Sequence, residues 1–401
     1  MKWRETKVNV EDHIIVPDIK PSCIESPDQF VEDYVASLTE TQMELSKPLW
    51  EIHLLDLQNS DAAGLIIGRY HHSIGDGASL MAMLFACSHR PVQPPMALVN
   101  QPGNGGDTVS LTRTGLIQQA FSRFCASLAV FWNTCIGIFF FVMTVLFLRD
   151  TETPLTGGPG VETAPKRFVR LAFYLRDIKL VKDAMKVTVN DVLLGITEAG
   201  LSQYLNRRYG HGGSLLISYS RFVKARIQLT VMAGSRVGYF LLPLSIALWD
   251  DPLECIRKAK GAIDRRKRSH EALFTFCLSG FVLKSFGLKV RSFVGVYIAL
   301  MNVLSIGSGC TVLPSTLQTT ATYSNMMGSF EEVDFFGHPL GYIAFGTYGY
   351  PRTLSINFIC YVDKMTLLVA VDKKAIPDPQ RLCDDIEAAL KLAIDACSVS
   401  D

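Results

Sequence analysis

The sequence predicts a mixed α/β protein built in two halves, and three observations carry that expectation. Short apolar or alternating runs of strand type, such as residues 64–70 and 354–361, are interleaved with runs of helical spacing in both halves. At 401 residues the chain exceeds the usual size of a single core. Two stretches rich in proline and glycine, residues 91–110 and 151–165, interrupt it near the middle. The second sets the boundary between residues 1–150 and 151–401.

Composition narrows the class. A hydrophobic content of 48% supplies a large core, and a net charge of +1 gives no electrostatic reason to expect a nucleic-acid partner. The ten cysteines are scattered, with no C-x-x-C pair. Neither a zinc site nor a disulfide framework is indicated, and reduced thiols facing the cytosol are expected. Met1-Lys2-Trp3-Arg4-Glu5 is polar and charged, unlike a secretory signal peptide.

Each element of the first half has a local reason. Ser26-Pro27-Asp28 opens a helix with a capping hydroxyl, a proline suited to the first turn and an acid favoured by the helix dipole. Phe30, Val31, Tyr34, Val35 and Leu38 follow at helical spacing. Residues 51–57 alternate and read as a strand; His53 inside it is a catalytic candidate, although a lone histidine in a strand is usually structural. Residues 64–70 read as a buried strand and 78–87 as an apolar helix. Between them, His71-His72-Ser73-Ile74-Gly75-Asp76-Gly77 places two histidines where a strand ends in a turn, and the glycines allow a tight path. Residues 126–148 carry no charged side chain. That run is long enough to cross a bilayer, which takes about 20 apolar residues. It is expected to act at a membrane, spanning it or lying flat, with a fully buried helix as the alternative. Arg123 and Arg149 flank both ends, so charge bias sets no orientation.

The second half continues the alternation. Residues 167–175 read as a strand and 177–186 as a helix. Thr188-Val189-Asn190-Asp191 enters a long helix through Ile196, Ala199, Leu201 and Tyr204, stopping near Gly210. Residues 239–248 form an apolar strand whose Pro243 requires an edge or a bulge. Asp251-Pro252 starts a helix bearing Lys258, Lys260, Arg265, Arg266, Lys267 and Arg268. A solvated face is the first explanation of that basic run; anionic lipid or a phosphate-bearing ligand is the functional alternative. Residues 331–337 read as a strand and turn. Residues 354–361 and 365–371 form an antiparallel pair about Asp363-Lys364. Residues 379–396 form an amphipathic terminal helix.

The histidine pair is the candidate chemistry. Imidazole suits proton abstraction near neutral pH, and Asp76 can fix the loop without touching substrate. An isolated pair is also explained by satisfied structural histidines or by two metal ligands, although no third ligand follows at zinc-like spacing.

Several blocks together carry a resemblance. His71-His72-Ser73-Ile74-Gly75-Asp76-Gly77 matches the HHxxxDG pattern of acyl-CoA-dependent acyltransferases with the chloramphenicol-acetyltransferase-like fold. Leu45-Ser46-Lys47-Pro48-Leu49-Trp50-Glu51 resembles the PLW block of the wax ester synthase/diacylglycerol acyltransferase family. Asn190-Asp191-Val192-Leu193-Leu194 resembles its ND block, and Tyr323-Ser324-Asn325-Met326-Met327-Gly328 its SNVxGP-type block. The likeness runs through Ile376-Pro377-Asp378-Pro379 and is greatest to the plant, bifunctional members. Residues 331–337 do not match the DFGWG block of the plant BAHD acyltransferases. Two departures stand out. The family's arginine-rich RxxxRP-like stretch is replaced by Ser220-Arg221-Phe222-Val223-Lys224-Ala225-Arg226. The strand–helix unit that precedes the segment matching residues 6–13 in related sequences is expected to be lacking.

The resemblance implies two chloramphenicol-acetyltransferase-like domains meeting at a tunnel, plus the apolar helix. It implies an O-acyltransferase that moves a fatty acyl group from acyl-CoA to a long-chain alcohol or diacylglycerol. His72 would be the general base and Asp76 the residue holding its loop, with His71 and Gly77 in support. Asn190, Asp191, Ser324 and Asn325 would border the substrates; helix capping for the first pair and a plain turn for the second are equally open. Acyl-CoA would be a co-substrate, with no cofactor and no metal. Membrane lipid would be a further partner, at the endoplasmic reticulum or plasma membrane, with the catalytic part in the cytosol. The competing readings are a non-catalytic lipid-binding relative and transfer to a specialised-metabolite alcohol.

Overall fold

The computed structural model describes residues 5–44, 46–71, 73–88, 113–146, 155, 164–209, 224–233, 236–247, 249, 251–286, 321–335, 337–349 and 353–398. In the first half, a 3-10 turn at Val10–His13 leads into β1 (Ile14–Ile15). Helix α1 (Pro27–Glu40) starts as its sequence dictates: the Ser26 hydroxyl accepts the Gln29 N–H at 3.4 Å, with Pro27 in the first turn. β2 (Trp50–Leu55) runs parallel to β1 and antiparallel to β3 (Leu65–Tyr70), making a three-stranded sheet. β3 feeds through the histidine turn into α2 (Gly77–Ala86).

A long helix follows, α3 (Arg113–Leu146). The fully buried alternative does not hold, because only 11% of its apolar stretch within Gln118–Met143 is buried. The next elements are β4 (Lys166–Tyr174), α4 (Leu175–Met185), α5 (Val189–Tyr209), β5 (Lys224–Ala233) and β6 (Arg236–Ser245). They lead to α6 (Glu254–Lys267), α7 (Glu271–Phe286), β7 (Ala321–Met327) and the small pair β8 (Asp334–Phe335) and β9 (His338–Pro339). β10 (Leu354–Tyr361), β11 (Lys364–Asp372) and α8 (Pro379–Ser398) close the chain.

Six of these strands form one mixed sheet in the order β4-β11-β10-β7-β5-β6. β10 is antiparallel to β11 and parallel to β7. Pro243 sits in β6 at the sheet edge, where its missing N–H leaves no central ladder broken. Helices α4, α5, α6 and α8 cover one face, burying Ile178, Leu193, Ile256 and Ile386 with Tyr323, Phe358 and Leu367 of the strands. The packing of α5 is backbone-close. A Cβ on Gly195 would lie 2.7 Å from the Ile256 Cα of α6, and one on Gly200 would lie 2.8 Å from the Ile386 Cα of α8.

The opposite face receives the first half. Met81 and Phe85 of α2 pack with Met326, Ile359 and Tyr361. β10 is therefore buried on both faces along its whole length, the polar Ser355 and Asn357 included. Helix α1 lies along the other edge strand, β4. There the Lys166 N–H donates to Thr39 Oγ1 at 3.3 Å, and Arg167 reaches Gln29 at 3.2 Å and Glu32 at 3.6 Å. The stretches before and after α3 are thus packed against each other.

Candidate functional site

The histidine turn is held by its own backbone and short side chains. The His71 N–H donates to the Leu49 carbonyl at 3.0 Å, and the Ile74 N–H donates to the His71 carbonyl at 3.0 Å. The Ser73 N–H donates to His71 Nδ1 at 3.2 Å, and Ser73 Oγ lies 2.7 Å from the same nitrogen. An N–H only donates, so Nδ1 is the acceptor and the ring proton of neutral His71 belongs on Nε2. His72 lies outside the described residues. Asp76 caps α2: its Oδ1 accepts the Ser79 N–H at 2.8 Å and the Ser79 hydroxyl at 2.6 Å. The carboxylate is thus held by a backbone amide and a hydroxyl, and no arginine pairs with it among the described residues.

Two contacts fasten this unit to the six-stranded sheet. At its far end, Gly77 abuts Met326 so closely that a Cβ would lie 2.7 Å from the Met326 sulfur. At its near end, the buried Arg69 of β3 donates from Nε to the Tyr348 hydroxyl at 2.7 Å. The same guanidinium meets Glu51 at 3.1 Å and the Thr41 carbonyl, so its charge is paired inside. Beside it, burial pushes His53 below its ordinary pKa despite the opposing pull of Glu51, while Nδ1 stays 2.8 Å from the Tyr34 hydroxyl. His53 is thus packed inside the first half, 3% exposed, and held by Tyr34.

Strand alternation then sorts the sheet residues. Thr322, Ser324 and Met326 of β7 point to the α2 side, and Tyr323 and Asn325 to the α5 side, because Met326 packs with α2 while Tyr323 packs with the helix layer. Tyr348 and Thr322 line a small cavity of about 10 Å³ together with Ser355, Thr347 and Lys166. The Arg69–Tyr348 and Gly77–Met326 contacts therefore bracket Ser324, and residues 71–76 connect them. Among the described residues the Ser324 hydroxyl makes no hydrogen bond.

The remaining expected residues gather on the other face. Thr188 and Asp191 form a reciprocal cap at the start of α5: Asp191 Oδ2 accepts the Thr188 N–H at 2.8 Å, and the Asp191 N–H donates to Thr188 Oγ1 at 3.3 Å. Asp191 is fully buried, and together burial and its charge push the Tyr323 phenol up. Asn190, one residue earlier, accepts a hydrogen bond from the Asn325 side-chain amide. The ND and SN blocks thus touch, while Ser324 and Asn325 face opposite ways. Sequence reading missed Arg69, Thr322, Tyr348 and Ser355. The period-two pattern of residues 321–327 is the one signal that could have separated Ser324 from Asn325. Among the described residues, no cluster of three His, Cys, Asp or Glu side chains is placed to hold a metal ion.

Two family models match the chain. Residues 2–193 match the wax ester synthase/diacylglycerol acyltransferase catalytic domain, and residues 233–393 the WS/DGAT C-terminal domain. Wax ester synthase/diacylglycerol acyltransferase 11 of Arabidopsis thaliana is 40% identical over 98% of this chain and 82% of its own length. Number 5 of the same series is 38% identical over 97% and 80%. The solved structure of the wax ester synthase/diacylglycerol acyltransferase of Marinobacter aquaeolei VT8 superposes with a TM-score of 0.58 at 17% identity. It covers 98% of this chain and 82% of that one and shares the mixed α/β fold.

Proposed function

The chain belongs to the wax ester synthase/diacylglycerol acyltransferase family, and from that premise we propose an acyl-CoA-dependent O-acyltransferase. It moves a fatty acyl group from acyl-CoA to a long-chain alcohol, giving a wax ester, or to diacylglycerol, giving triacylglycerol. The observation that carries this reading is the HHSIGDG turn fastened at both ends over the polar row of β7, with Ser324 between the two anchors. In this reading residues 1–150 and 151–401 contribute opposite walls of one cleft.

The chemistry follows from residue types. His72 takes the proton of the acceptor hydroxyl. The oxygen attacks the thioester carbonyl, the C–S bond breaks, and the imidazolium returns its proton to the departing coenzyme A thiolate. Base assistance of this kind is worth about 10²–10⁴-fold, and joint positioning of both substrates adds to it. The Ser324 hydroxyl, unengaged and on the cleft side, is the better-placed donor for the developing oxyanion. Asn325, fixed by Asn190 on the far face, and Asp191, closing the start of α5, act as supports for that strand. His71 orients the turn through Ser73. No acyl-enzyme is needed, so no cysteine has to serve as nucleophile.

Asp76 offers a graded check. Asp76→Asn keeps an Oδ1 acceptor for the Ser79 N–H, whereas Asp76→Ala removes a cap worth about 0.5–2 kcal/mol. The alanine variant is expected to lose more ester-forming rate than the asparagine variant; equal rates in both would deny the loop-holding role. The function itself is tested by the products of purified protein given acyl-CoA with hexadecanol or with diacylglycerol. Wax ester or triacylglycerol is expected, and substrate retention without ester would instead identify a lipid-binding protein.

Such acceptors reside in membranes, and the exposed apolar helix α3 supports membrane association. The endoplasmic reticulum or plasma membrane is the proposed site, with both halves in the cytosol.

A further inference from the structure

We propose that α3 lies in the plane of a membrane surface, presenting one apolar stripe to the lipid, and does not cross the bilayer. This rests on the membrane association proposed above and fixes its geometry.

The first argument is topological. A single crossing by α3 would put residues 5–88 and 164–398 on opposite sides of the membrane. Yet α1 packs along β4, and α2 packs on Met326 and Ile359. A return crossing directly after α3 is ruled out by composition, since residues 147–163 contain Arg149, Asp150, Glu152, Pro154, Pro159 and Glu162.

The second argument is where charge sits. The turn between α6 and α7 is docked on the middle of α3. Asn133 donates to the Arg268 carbonyl at 3.2 Å, and the His270 N–H donates to Thr134 Oγ1 at 2.9 Å. Gly137 lies against the buried Glu271, whose carboxylate is paired with Arg266. If α3 spanned the membrane, this turn would be carried to mid-depth with Arg265, Lys267 and Arg268, all exposed. Charges there are strongly disfavoured.

The third is the shape of the apolar surface. Phe121, Phe124, Leu128, Trp132 and Phe139 recur at intervals of three, four or seven residues, with Phe131 beside Trp132, and each is half or more exposed. Thr134, Gly137 and Phe141, on the opposite side of the helix, make the docking contacts, including Phe141 edge-on to Phe274 of α7. Leu273 and Phe276 of α7 extend exposed apolar surface beside it. From Val130 to Met143 protein holds one face of α3, while residues 118–129 are exposed all round; a helix so placed sinks its free apolar face into the headgroup–acyl boundary. The occupant is a bilayer bearing anionic headgroups, because Arg265 and Lys267 are exposed, make no ion pair among the described residues, and flank Arg266, which lies against Gly137 of the helix.

Topology in sealed microsomes tests this. Full-length chain tagged at both termini is expected to sediment with the membrane and to lose both tags to added protease without detergent. One tag protected until detergent is added would overturn the in-plane geometry and leave membrane association standing. Protein that stays in the supernatant would overturn both. Purified variants add a binding measurement. Phe131→Asp with Trp132→Asp is expected to weaken binding to phosphatidylcholine/phosphatidylserine vesicles at least tenfold. Arg265→Gln, Lys267→Gln and Arg268→Gln should each reduce the preference for anionic over neutral vesicles by about fivefold. Unchanged partitioning in both sets, or a stable dimer in solution that shields Phe131 and Trp132, would overturn the surface.

Discussion

Replacing His72 by alanine is expected to lower ester formation by about 10²–10⁴-fold without unfolding the chain. Among the described residues, the contacts that fasten the turn belong to its neighbours: His71 to Leu49, Asp76 to Ser79, Gly77 to Met326. Truncating the side chain at position 72 breaks none of them, so circular dichroism and the melting transition should match the parent. His71→Ala should lose much less, because among the described residues that ring bonds only with the Ser73 hydroxyl and N–H. Ser324→Ala is expected to reduce kcat by about 10²-fold with little change in KM, the behaviour of a donor used in the transition state. Asn325→Ala should affect stability before rate, since its amide is engaged with Asn190. Initial rates at saturating acyl-CoA decide the matter; undiminished turnover in the His72 variant would remove it from the mechanism, and Ser324 with it.

The second large effect concerns stability. Gly195→Ala is expected to destabilise the protein by about 3 kcal/mol, the upper part of the range for overpacked cores. The added methyl group meets the Ile256 Cα at 2.7 Å, and backbone, unlike a side-chain tip, has no rotamer to move to. Gly200→Ala meets the Ile386 Cα at 2.8 Å and should behave alike. Gly261→Ala is the control. It is also a helical glycine, but open space surrounds its Cβ position, so it should stabilise by about 0.5–1 kcal/mol through helix propensity. Urea denaturation of the three variants separates close packing from propensity; a Gly195→Ala protein as stable as Gly261→Ala would refute the close approach of α5 and α6.

Much of this architecture was legible in local signals. Ser26-Pro27 fixed the start of α1, the Asp363-Lys364 turn joined β10 to β11, and Pro243 confined β6 to an edge. Each of those depends on chemistry within a few residues. β5 was not legible: Lys224-Ala225-Arg226 opens it with charge, and only its pairing with β6 and β7 makes it a strand. The site divides in the same way. The strand–turn–helix context of the histidine pair was readable; that Asp76 caps α2 through Ser79 was not. That Asn190 meets Asn325, and that Arg69 reaches Tyr348, was not, because sequence spacing says nothing about partners so far along the chain. The adjacency of Ser324 and Asn325 suggested shared work; the pleat of β7 sends them to opposite faces.

The strand order has a consequence for how the molecule comes into being. β4 enters early in the second half, yet its ladder partner is β11, with Val169 opposite Val369. β10 and β7, which lie beyond β11 in the sheet, also arrive late. During synthesis, α1 has no finished edge strand to rest on until the ribosome has nearly reached the end of the message. Assembly must therefore be largely post-translational, and long-range pairing of this kind is slow and aggregation-prone. Throughout that interval the aromatic stripe of α3 is already made and already sticky. A nascent chain that met lipid at that stage would shelter the stripe, so the surface proposed to position the finished enzyme would also guard the unfinished one.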